Sequence, residues 1–264
     1  MPQAKRRLGQ HFLTDPRLLG RIADAVGAGP GDTVLEIGPG PGGLTAALVA
    51  RAGHVVAIEK DRDLIPGLRT RFPQVSIAEG DALELDWNEL VGGPYLLAGN
   101  IPYNITSPLI DKALEPPRPA RIVFLVQKEV ADRVTAAAGA EAYGALSVGV
   151  QAVAEAERLF LVPAGAFHPR PRVDSAVLRL VPRAVPLVPP AAQPSFRRVV
   201  VGLFGFRRKQ LARGLRELTG WNAAQVTAVL GRAELPGDAR PEVLPPAAFV
   251  RLHDALVDGG WAVR

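Results

Sequence analysis

Hydrophobic and polar positions along the chain alternate between two kinds of segment. Asp15 and Pro16 supply an N-cap and a first-turn proline, and apolar residues then recur at helical spacing up to the glycines at 27 and 29. Residues 33–37 follow as a short apolar run of the kind that forms a buried strand.

This alternation continues through the first two thirds of the chain. Further strands are predicted at 54–59, 75–79, 95–99 and 121–126, with helices at 44–52 and 61–71. Segments 153–162 and 174–181 are predicted to add the last strands of the same sheet. Strands separated by helices at this spacing favour an α/β fold with a parallel, Rossmann-like sheet covered by helices on both faces.

The last third of the chain has a different pattern. Residues 182–194 are rich in proline and are predicted to form a linker. Helical patterns follow at 195–205, 207–219, 222–231 and 246–257. The sequence therefore predicts two domains, an α/β domain over residues 1–183 and a small all-α domain over residues 184–264.

Composition excludes several classes of function. The chain of 264 residues has no cysteine, which removes disulfides, thiolate nucleophiles, cysteine zinc sites and iron–sulfur clusters. Its four histidines are scattered, so no metal site is expected. There is no apolar run of about 18 residues and no apolar leader at the start, so we expect a cytoplasmic protein without a membrane segment.

Positive charge is concentrated in the predicted helical domain. Residues 1–183 hold 20 basic and 20 acidic side chains, whereas residues 184–264 hold 11 and 6. Seven Lys and Arg side chains fall within residues 197–216, where no acid occurs, and a smaller cluster at Lys5, Arg6 and Arg7 opens the chain. Such a segment suits a polyanion such as RNA, although a solvated helix face would have the same composition.

A glycine-rich loop follows the first strand of the predicted sheet. Gly38, Gly40 and Gly43 fit the pattern G-x-G-x-x-G, and Glu59 ends the next strand, where an acid commonly binds a ribose. Proteins that bind NAD, FAD or S-adenosylmethionine share this geometry. Glu36, two residues before the loop, would oppose a pyrophosphate but would favour a sulfonium. The charge pattern therefore favours S-adenosylmethionine over a dinucleotide.

The segment Asn100-Ile101-Pro102-Tyr103 follows the strand at 95–99, at the edge where parallel sheets bind ligands. An amide oxygen and a backbone carbonyl that accept from an exocyclic base amine would favour a pyramidal, nucleophilic nitrogen. Tyr103 would stack on a base extruded into the pocket. A capped turn before a helix at 105–115 is the alternative interpretation of the same residues.

Six motifs occur in an order that resembles one family. They are Gly9-Gln-His-Phe-Leu13, Glu36-Ile-Gly-Pro-Gly-Pro-Gly-Gly-Leu-Thr45, Glu59-Lys-Asp61, Gly80-Asp-Ala82, Asn100-Ile-Pro-Tyr-Asn-Ile105 and Phe167-His-Pro-Arg-Pro-Arg-Val-Asp-Ser175. Together they resemble the rRNA adenine N6,N6-dimethyltransferases, and specifically their small-subunit branch. The segment Leu203–Lys209 is also similar to the C-terminal domain of that branch. The resemblance covers nearly the whole chain and implies a Rossmann-like class I methyltransferase fold.

The resemblance implies a role for each matching residue. Asn100 and the Pro102 carbonyl would hold the target amine, between the rings of Tyr103 and Phe167. The residues expected to contact S-adenosylmethionine are His11, Leu13, Gly38, Gly40, Glu59, Lys60, Asp81, Ala82 and Asn100. Those expected to contact RNA are Arg170, Arg172, Arg207, Arg208, Lys209 and Arg213.

The family further implies dimethylation of two adjacent adenosines near the 3′ end of small-subunit (16S) rRNA, in a 30S or pre-30S particle and with a role in late assembly. A monomer is expected. Three alternatives remain open at this point: a large-subunit dimethyltransferase of the antibiotic-resistance type, a ribosome assembly factor without catalysis, and an NAD oxidoreductase.

Overall fold

The structure is a computed structural model that describes residues 4–5 and 8–261 of the chain. Arg6 and Arg7 of the first basic cluster lie outside the described residues. The chain forms two compact units. The first comprises the residues up to Ala131 together with Ala156–Pro182, and the second comprises Asp132–Glu155 and the residues from Arg183 onward.

Most strands of the described chain belong to one sheet. The strands are β1 (Phe12–Leu13), β2 (Thr33–Ile37), β3 (His54–Glu59), β4 (Ser76–Glu79), β5 (Leu96–Asn100), β6 (Arg121–Gln127), β7 (Ala154–Val162), β8 (Phe167–His168) and β9 (Ser175–Pro182). Seven of them form a sheet in the order β4-β3-β2-β5-β6-β9-β7, and β1 pairs only with β8.

The predicted parallel sheet is confirmed for five strands. β2 pairs in parallel with β3 and β5, β3 with β4, and β5 with β6. β9 instead runs antiparallel to β6, so the complete sheet is mixed. β7 and β9 are neighbours in the sheet, and residues 163–174 between them contain no α-helix that could form the crossover which parallel neighbours need.

The helices of the first unit lie on both faces of the sheet, as predicted. They are α1 (Pro16–Val26), α2 (Gly43–Val49), α3 (Ile65–Arg71), α4 (Trp87–Val91), α5 (Thr106–Ala113) and the start of α6 (Lys128–Thr135). The predicted cap of α1 is present, because the Asp15 carboxylate accepts from the amides of Arg17 and Leu18. Gly27 ends α1 in the left-handed conformation.

The strand order fixes where a ligand can bind. From β2 the chain moves outward through β3 to β4 and then returns to place β5 on the other side of β2. At such a reversal the connections leave in opposite directions and open a crevice at the carboxyl ends of the strands. The glycine loop after β2 and the segment after β5 both reach this crevice.

The second unit is helical. Its helices are α7 (Ala145–Gln151), α8 (Gln193–Gly205), α9 (Leu211–Thr219), α10 (Ala223–Ala233) and α11 (Pro246–Asp258), which confirms the helical character predicted for the last third. Phe204 stacks on Phe249 with ring centroids 5.7 Å apart, at the centre of this unit. Among residues 4–5 and 8–261, every helix is too short or too polar to traverse a bilayer.

Residues 132–155 belong to the helical unit. The sequence pattern instead predicts them in the first domain. Tyr143 is fully buried, and its hydroxyl donates to the Leu244 carbonyl at 2.7 Å. The Gly139 amide donates to the Glu242 carbonyl at 2.8 Å. These contacts join the segment to residues 241–249 of the helical unit, far away in sequence, so no local pattern marks them.

Candidate active site

A cavity of about 150 Å³ lies at the carboxyl ends of four adjacent parallel strands. Its walls come from the segment before β1, from the ends of β2, β3 and β5, and from the loop after β4. Ten predicted residues line it: His11, Gly38, Gly40, Glu59, Lys60, Asp81, Ala82, Asn100, Pro102 and Tyr103. The described residues contain no group of three or more His, Asp and Glu side chains arranged for a metal ion.

Glu59 connects β3 to the glycine loop. Its Oε2 accepts from the Gly40 amide at 3.0 Å, and its Oε1 accepts from the Asp61 amide at 2.7 Å. Burial raises the pKa of Glu59, while these amide donors act in the opposite direction. The carboxylate is thus oriented by two backbone groups at the floor of the cavity, where its remaining lone pairs can accept from a ligand hydroxyl.

Gly40 occupies a position that requires glycine. Its φ is +58°, and a Cβ atom there would lie 3.1 Å from the Phe12 ring. The left-handed conformation and the close approach of Phe12 each disfavour a side chain. The sequence motif therefore reflects a real steric restriction at this turn.

Glu36 changes the electrostatic argument that the sequence suggested. Its carboxyl group is 1% exposed and accepts from Thr45 Oγ1 at 2.6 Å. Burial raises the pKa of Glu36 to about 8, so the group is mostly neutral at pH 7. A negative charge on Glu36 is therefore a poor reason to prefer a sulfonium, and the ionised acid of the cavity lies instead at its rim.

That rim acid is Asp81, in the loop after β4. Its Oδ2 accepts from Lys60 Nζ at 2.6 Å, and its Oδ1 accepts from the Leu83 amide at 3.0 Å. The hydrogen bond from Lys60 holds the pKa of Asp81 below its usual value. Asp81 is thus an ionised acceptor beside Ala82, whose own carbonyl accepts from the Trp87 indole.

Asn100 is the first residue of the segment Asn100–Tyr103, and it lines the cavity at the end of β5. Its Nδ2 donates to the His11 carbonyl at 2.8 Å. Because a carbonyl can only accept, this contact fixes the orientation of the amide and directs Oδ1 away from His11. Oδ1 has no hydrogen-bond partner among the described residues, so this oxygen can accept from a substrate amine.

The Pro102 carbonyl is already engaged. It accepts from the Ile105 amide at 3.1 Å and from Thr106 Oγ1 at 3.2 Å. These bonds belong to a 3-10 turn at Tyr103–Ile105 that leads into α5. A substrate amine would have to share this oxygen with the Thr106 hydroxyl, a residue that the sequence analysis missed because its role depends on the turn.

Tyr103 is positioned by two contacts. Its hydroxyl hydrogen-bonds Ser175 Oγ at 2.8 Å, and its ring stacks on the His11 ring at a centroid distance of 5.5 Å. His11 is itself held, because its Nδ1 donates to the Pro169 carbonyl at 2.7 Å. The ring stacked on Tyr103 is that of His11, whereas the resemblance implied that Tyr103 and Phe167 enclose the target base between them.

Phe167 and Leu13 lie outside the cavity wall. They face each other in the antiparallel pair of β1 and β8, and both are packed into the hydrophobic core. Phe167 is 4% exposed, so its ring cannot form one face of a base sandwich unless this pair separates. Arg170 and Arg172 follow on an exposed loop, consistent with the predicted contact with RNA.

The predicted RNA-binding residues of the second unit fall into two groups. Arg207 donates to Glu242 at 2.6 Å and to the Glu141 carbonyl at 2.9 Å, and Lys209 pairs with Glu217 at 3.0 Å. The charged groups of Arg207 and Lys209 therefore already form ion pairs within the second unit. Arg208 and Arg213 are exposed.

Comparison with known proteins agrees with this geometry. Residues 1–248 match the family described as ribosomal RNA adenine dimethylase. The chain is 43% identical to ribosomal RNA small subunit methyltransferase A of Acidithiobacillus ferrooxidans, across 98% of this chain and 97% of the relative. The Geobacter sulfurreducens protein of the same name is 42% identical across 99% and 98%.

Two solved structures extend the comparison. The 23S rRNA methyltransferase ErmE is 31% identical with a TM-score of 0.73, across 93% of this chain and 99% of that one. A dimethyladenosine transferase from Plasmodium falciparum, 24% identical, shares the fold with a TM-score of 0.82, across 95% and 99%. The chain therefore belongs to the ribosomal RNA adenine dimethylase family and is an rRNA adenine methyltransferase that uses S-adenosylmethionine.

Proposed function

We propose that the protein dimethylates N6 of two adjacent adenosines near the 3′ end of small-subunit (16S) rRNA, in a 30S or pre-30S particle, late in assembly. The names of its relatives support this choice of subunit. The two relatives described above, both named for the small subunit, are 43% and 42% identical over nearly the whole chain, whereas ErmE, named for 23S rRNA, is 31% identical. The observation that carries the proposed chemistry is the position of Asn100, the first residue of the segment Asn100–Tyr103, whose side chain lines the cavity.

The residues of the cavity fit S-adenosylmethionine. Glu59 offers oriented carboxylate oxygens for ribose hydroxyls, and Asp81 offers an ionised acceptor for the adenine amine. Gly40 lines the cavity without a side chain, so a ligand can approach its backbone. Gly38, Lys60 and Ala82 complete this part of the wall. We propose that His11, which lines the cavity, contacts the cofactor, whereas Leu13 packs in the core and supports the wall from behind.

When bound, S-adenosylmethionine supplies an electrophilic methyl group. Asn100 Oδ1 and the Pro102 carbonyl would accept from the two hydrogens of the adenine amine, which favours a pyramidal nitrogen with its lone pair directed at the methyl. Thr106 would hold the Pro102 carbonyl in place. Alignment of the reacting atoms would supply most of the rate. Since methylation makes the nitrogen strongly acidic, its proton can leave to water without a dedicated base.

Tyr103 would stack on the target base. Its hydroxyl is fixed by Ser175, so the ring cannot turn away without breaking that hydrogen bond. The His11 ring now covers one side of Tyr103, and the incoming adenine would have to displace it or use the other side. We assign the stacking to Tyr103 alone, because Phe167 is buried in the core.

Two exposed basic surfaces would bind RNA phosphates. The first contains Arg170 and Arg172 in the α/β unit, and the second contains Arg208 and Arg213 in the helical unit. Because Arg207 and Lys209 pair with acids, we expect them to contribute less to RNA binding than the sequence suggests. The double substitution Arg207→Ala with Arg208→Ala would therefore combine a structural effect with an RNA effect.

We propose that the protein acts as a monomer, as the sequence analysis expects. An rRNA substrate also implies that the protein works in the cytoplasm, as the sequence predicts.

A methyl-transfer assay tests the proposal directly. Small and large ribosomal subunits from cells that lack these modifications are offered separately with labelled S-adenosylmethionine, and nucleosides are identified by mass spectrometry. We expect dimethyladenosine in small subunits only. The same product in large subunits only would favour the resistance-type reaction, and no transfer to either would contradict both.

The substitution Asn100→Ala tests the role of the Asn100 amide in the same assay. It removes Oδ1 and also the bond to the His11 carbonyl, so cofactor affinity must be measured beside transfer. We expect transfer to fall by at least about a hundredfold, since positioning contributes large factors, while small-subunit binding is retained. An active Asn100→Ala enzyme would contradict the assigned role of the amide.

A further inference from the structure

One wall of the cavity is a short stretch of chain before the first helix. Residues 8–12 all line the cavity, and they are not part of the central sheet. The carboxyl end of this stretch is fixed by the Asn100 side chain, which donates to the His11 carbonyl, and by the pairing of β1 with β8. The amino end has no strand partner and depends on side-chain contacts.

Those contacts converge on Asp61. Gln10 Nε2 donates to Asp61 Oδ2 at 3.0 Å, and Lys5 Nζ forms an ion pair with Asp61 Oδ1. The Lys5 amide in turn donates to Gln10 Oε1 at 2.7 Å. Asp61 is only 3% exposed, so both of its oxygens are directed at the wall and not at solvent. Burial alone would raise the pKa of Asp61, but the donors from Lys5 and Gln10 outweigh it and lower the pKa.

Asp61 is also joined to the floor of the cavity. Its amide donates to Glu59 Oε1, and Glu59 Oε2 accepts from the Gly40 amide. Asp61 therefore contacts both Glu59, the acid expected to bind the ribose, and Gln10 in the wall formed by residues 8–12. The proposed chemistry assigns no part in the reaction to Asp61.

We infer that Asp61 is a positioning residue, which holds residues 8–12 across the cavity and so slows departure of the cofactor. The inference rests on the function proposed above for this cavity. Two methyl groups on one nitrogen require two cofactor molecules, so spent cofactor must leave between transfers. The bonds from Gln10 and Lys5 to Asp61 break when this wall opens, which makes them the contacts that set the residence time.

The test compares Asp61→Asn with Asp63→Asn. Asp61→Asn keeps the size of the side chain but removes the charge that binds Lys5 and Gln10. Asp63 also pairs with Lys5, but it is 77% exposed and does not contact Gln10, so its variant is the matched control. Dissociation of S-adenosylhomocysteine is followed by stopped flow, its affinity by calorimetry, and hydrogen exchange is measured over residues 8–13.

We expect Asp61→Asn to dissociate S-adenosylhomocysteine about tenfold faster, the factor typical of one lost hydrogen bond to a charged group, with faster exchange over residues 8–13. Asp63→Asn should stay within about twofold of the native protein, as exposed ion pairs contribute little. A merely structural role would lower Tm and RNA affinity together and would leave the dissociation rate unchanged.

Gln10→Ala provides a second route if Asp61→Asn does not fold, because Gln10 lies in the wall and not in the core. Gln10→Ala should also make S-adenosylhomocysteine dissociate faster than from the native protein. Unchanged dissociation and exchange in both variants would overturn the inference and leave the proposed function intact. Failure of the native protein to bind S-adenosylhomocysteine would instead contradict the proposed function itself.

Discussion

The buried carboxyl of Glu36 is expected to make the stability of this protein depend on pH. Glu36 is 1% exposed, and its side chain accepts from the Thr45 hydroxyl. Burial raises its pKa from 4.5 to about 8, a shift that the Thr45 hydrogen bond partly opposes. The perturbation that isolates this effect is Glu36→Gln, which has nearly the same shape and stays neutral at every pH.

The direction of the effect follows from proton binding. Between about pH 4.5 and pH 8 the folded protein binds a proton at Glu36 that the unfolded chain has released. The associated stability is fully present below pH 4.5 and is lost as pH rises through about 8. The whole shift corresponds to about 5 kcal/mol at most, because each pKa unit is equivalent to about 1.4 kcal/mol.

Urea unfolding at about pH 5 and about pH 9 measures this contribution. We expect the free energy of unfolding of Glu36→Gln, relative to the native protein, to rise by roughly 2–5 kcal/mol between these values. Thr45→Val should extend the dependence of the native protein to higher pH, since it removes a donor that favours the ionised form of Glu36. If the free energy of unfolding changes with pH in the same way for the native protein and Glu36→Gln, the reasoning is refuted.

Three further predictions concern the site and its surroundings. Gly40→Ala should weaken cofactor binding about tenfold by calorimetry, because it combines a positive φ with a clash against Phe12, and unchanged affinity would contradict the steric argument. Arg208→Ala with Arg213→Ala should weaken RNA binding and reduce the slope of log affinity against log salt by about two, and an unchanged slope would remove these residues from the interface. Phe167→Leu should lower Tm but retain methyl transfer within a few fold, whereas a large loss of transfer at unchanged Tm would indicate stacking by Phe167.

The strand ends and the loops that follow them could be predicted from the sequence. The glycine loop after β2, Glu59 at the end of β3 and Asn100 at the end of β5 all lie where the alternation of strands and helices places them. These positions depend on local signals, namely short apolar runs, glycines and an N-cap. The parallel sheet then brings them to one edge without further information.

Contacts between distant segments could not be predicted in the same way. No local pattern shows that Gln10 binds Asp61, that Tyr143 packs in the helical unit, or that Phe167 faces the core. The charge of Glu36 also depends on its burial, which the residue type alone does not show. In each case tertiary packing decides which residues are in contact and which side chains are buried, and local sequence patterns do not contain this information.

The helical unit is discontinuous in sequence, and this limits how it can be exchanged. Residues 132–155 supply Tyr143 to its interior, although they are encoded between strands of the α/β unit. A chimera that transplants only residues 184–264 from a relative would pair foreign helices with the original Tyr143 and Gly139. Substitutions in the core of the helical unit must therefore be compensated in two separate stretches of the gene. Recombination at the proline-rich segment alone would combine core residues that do not pack together.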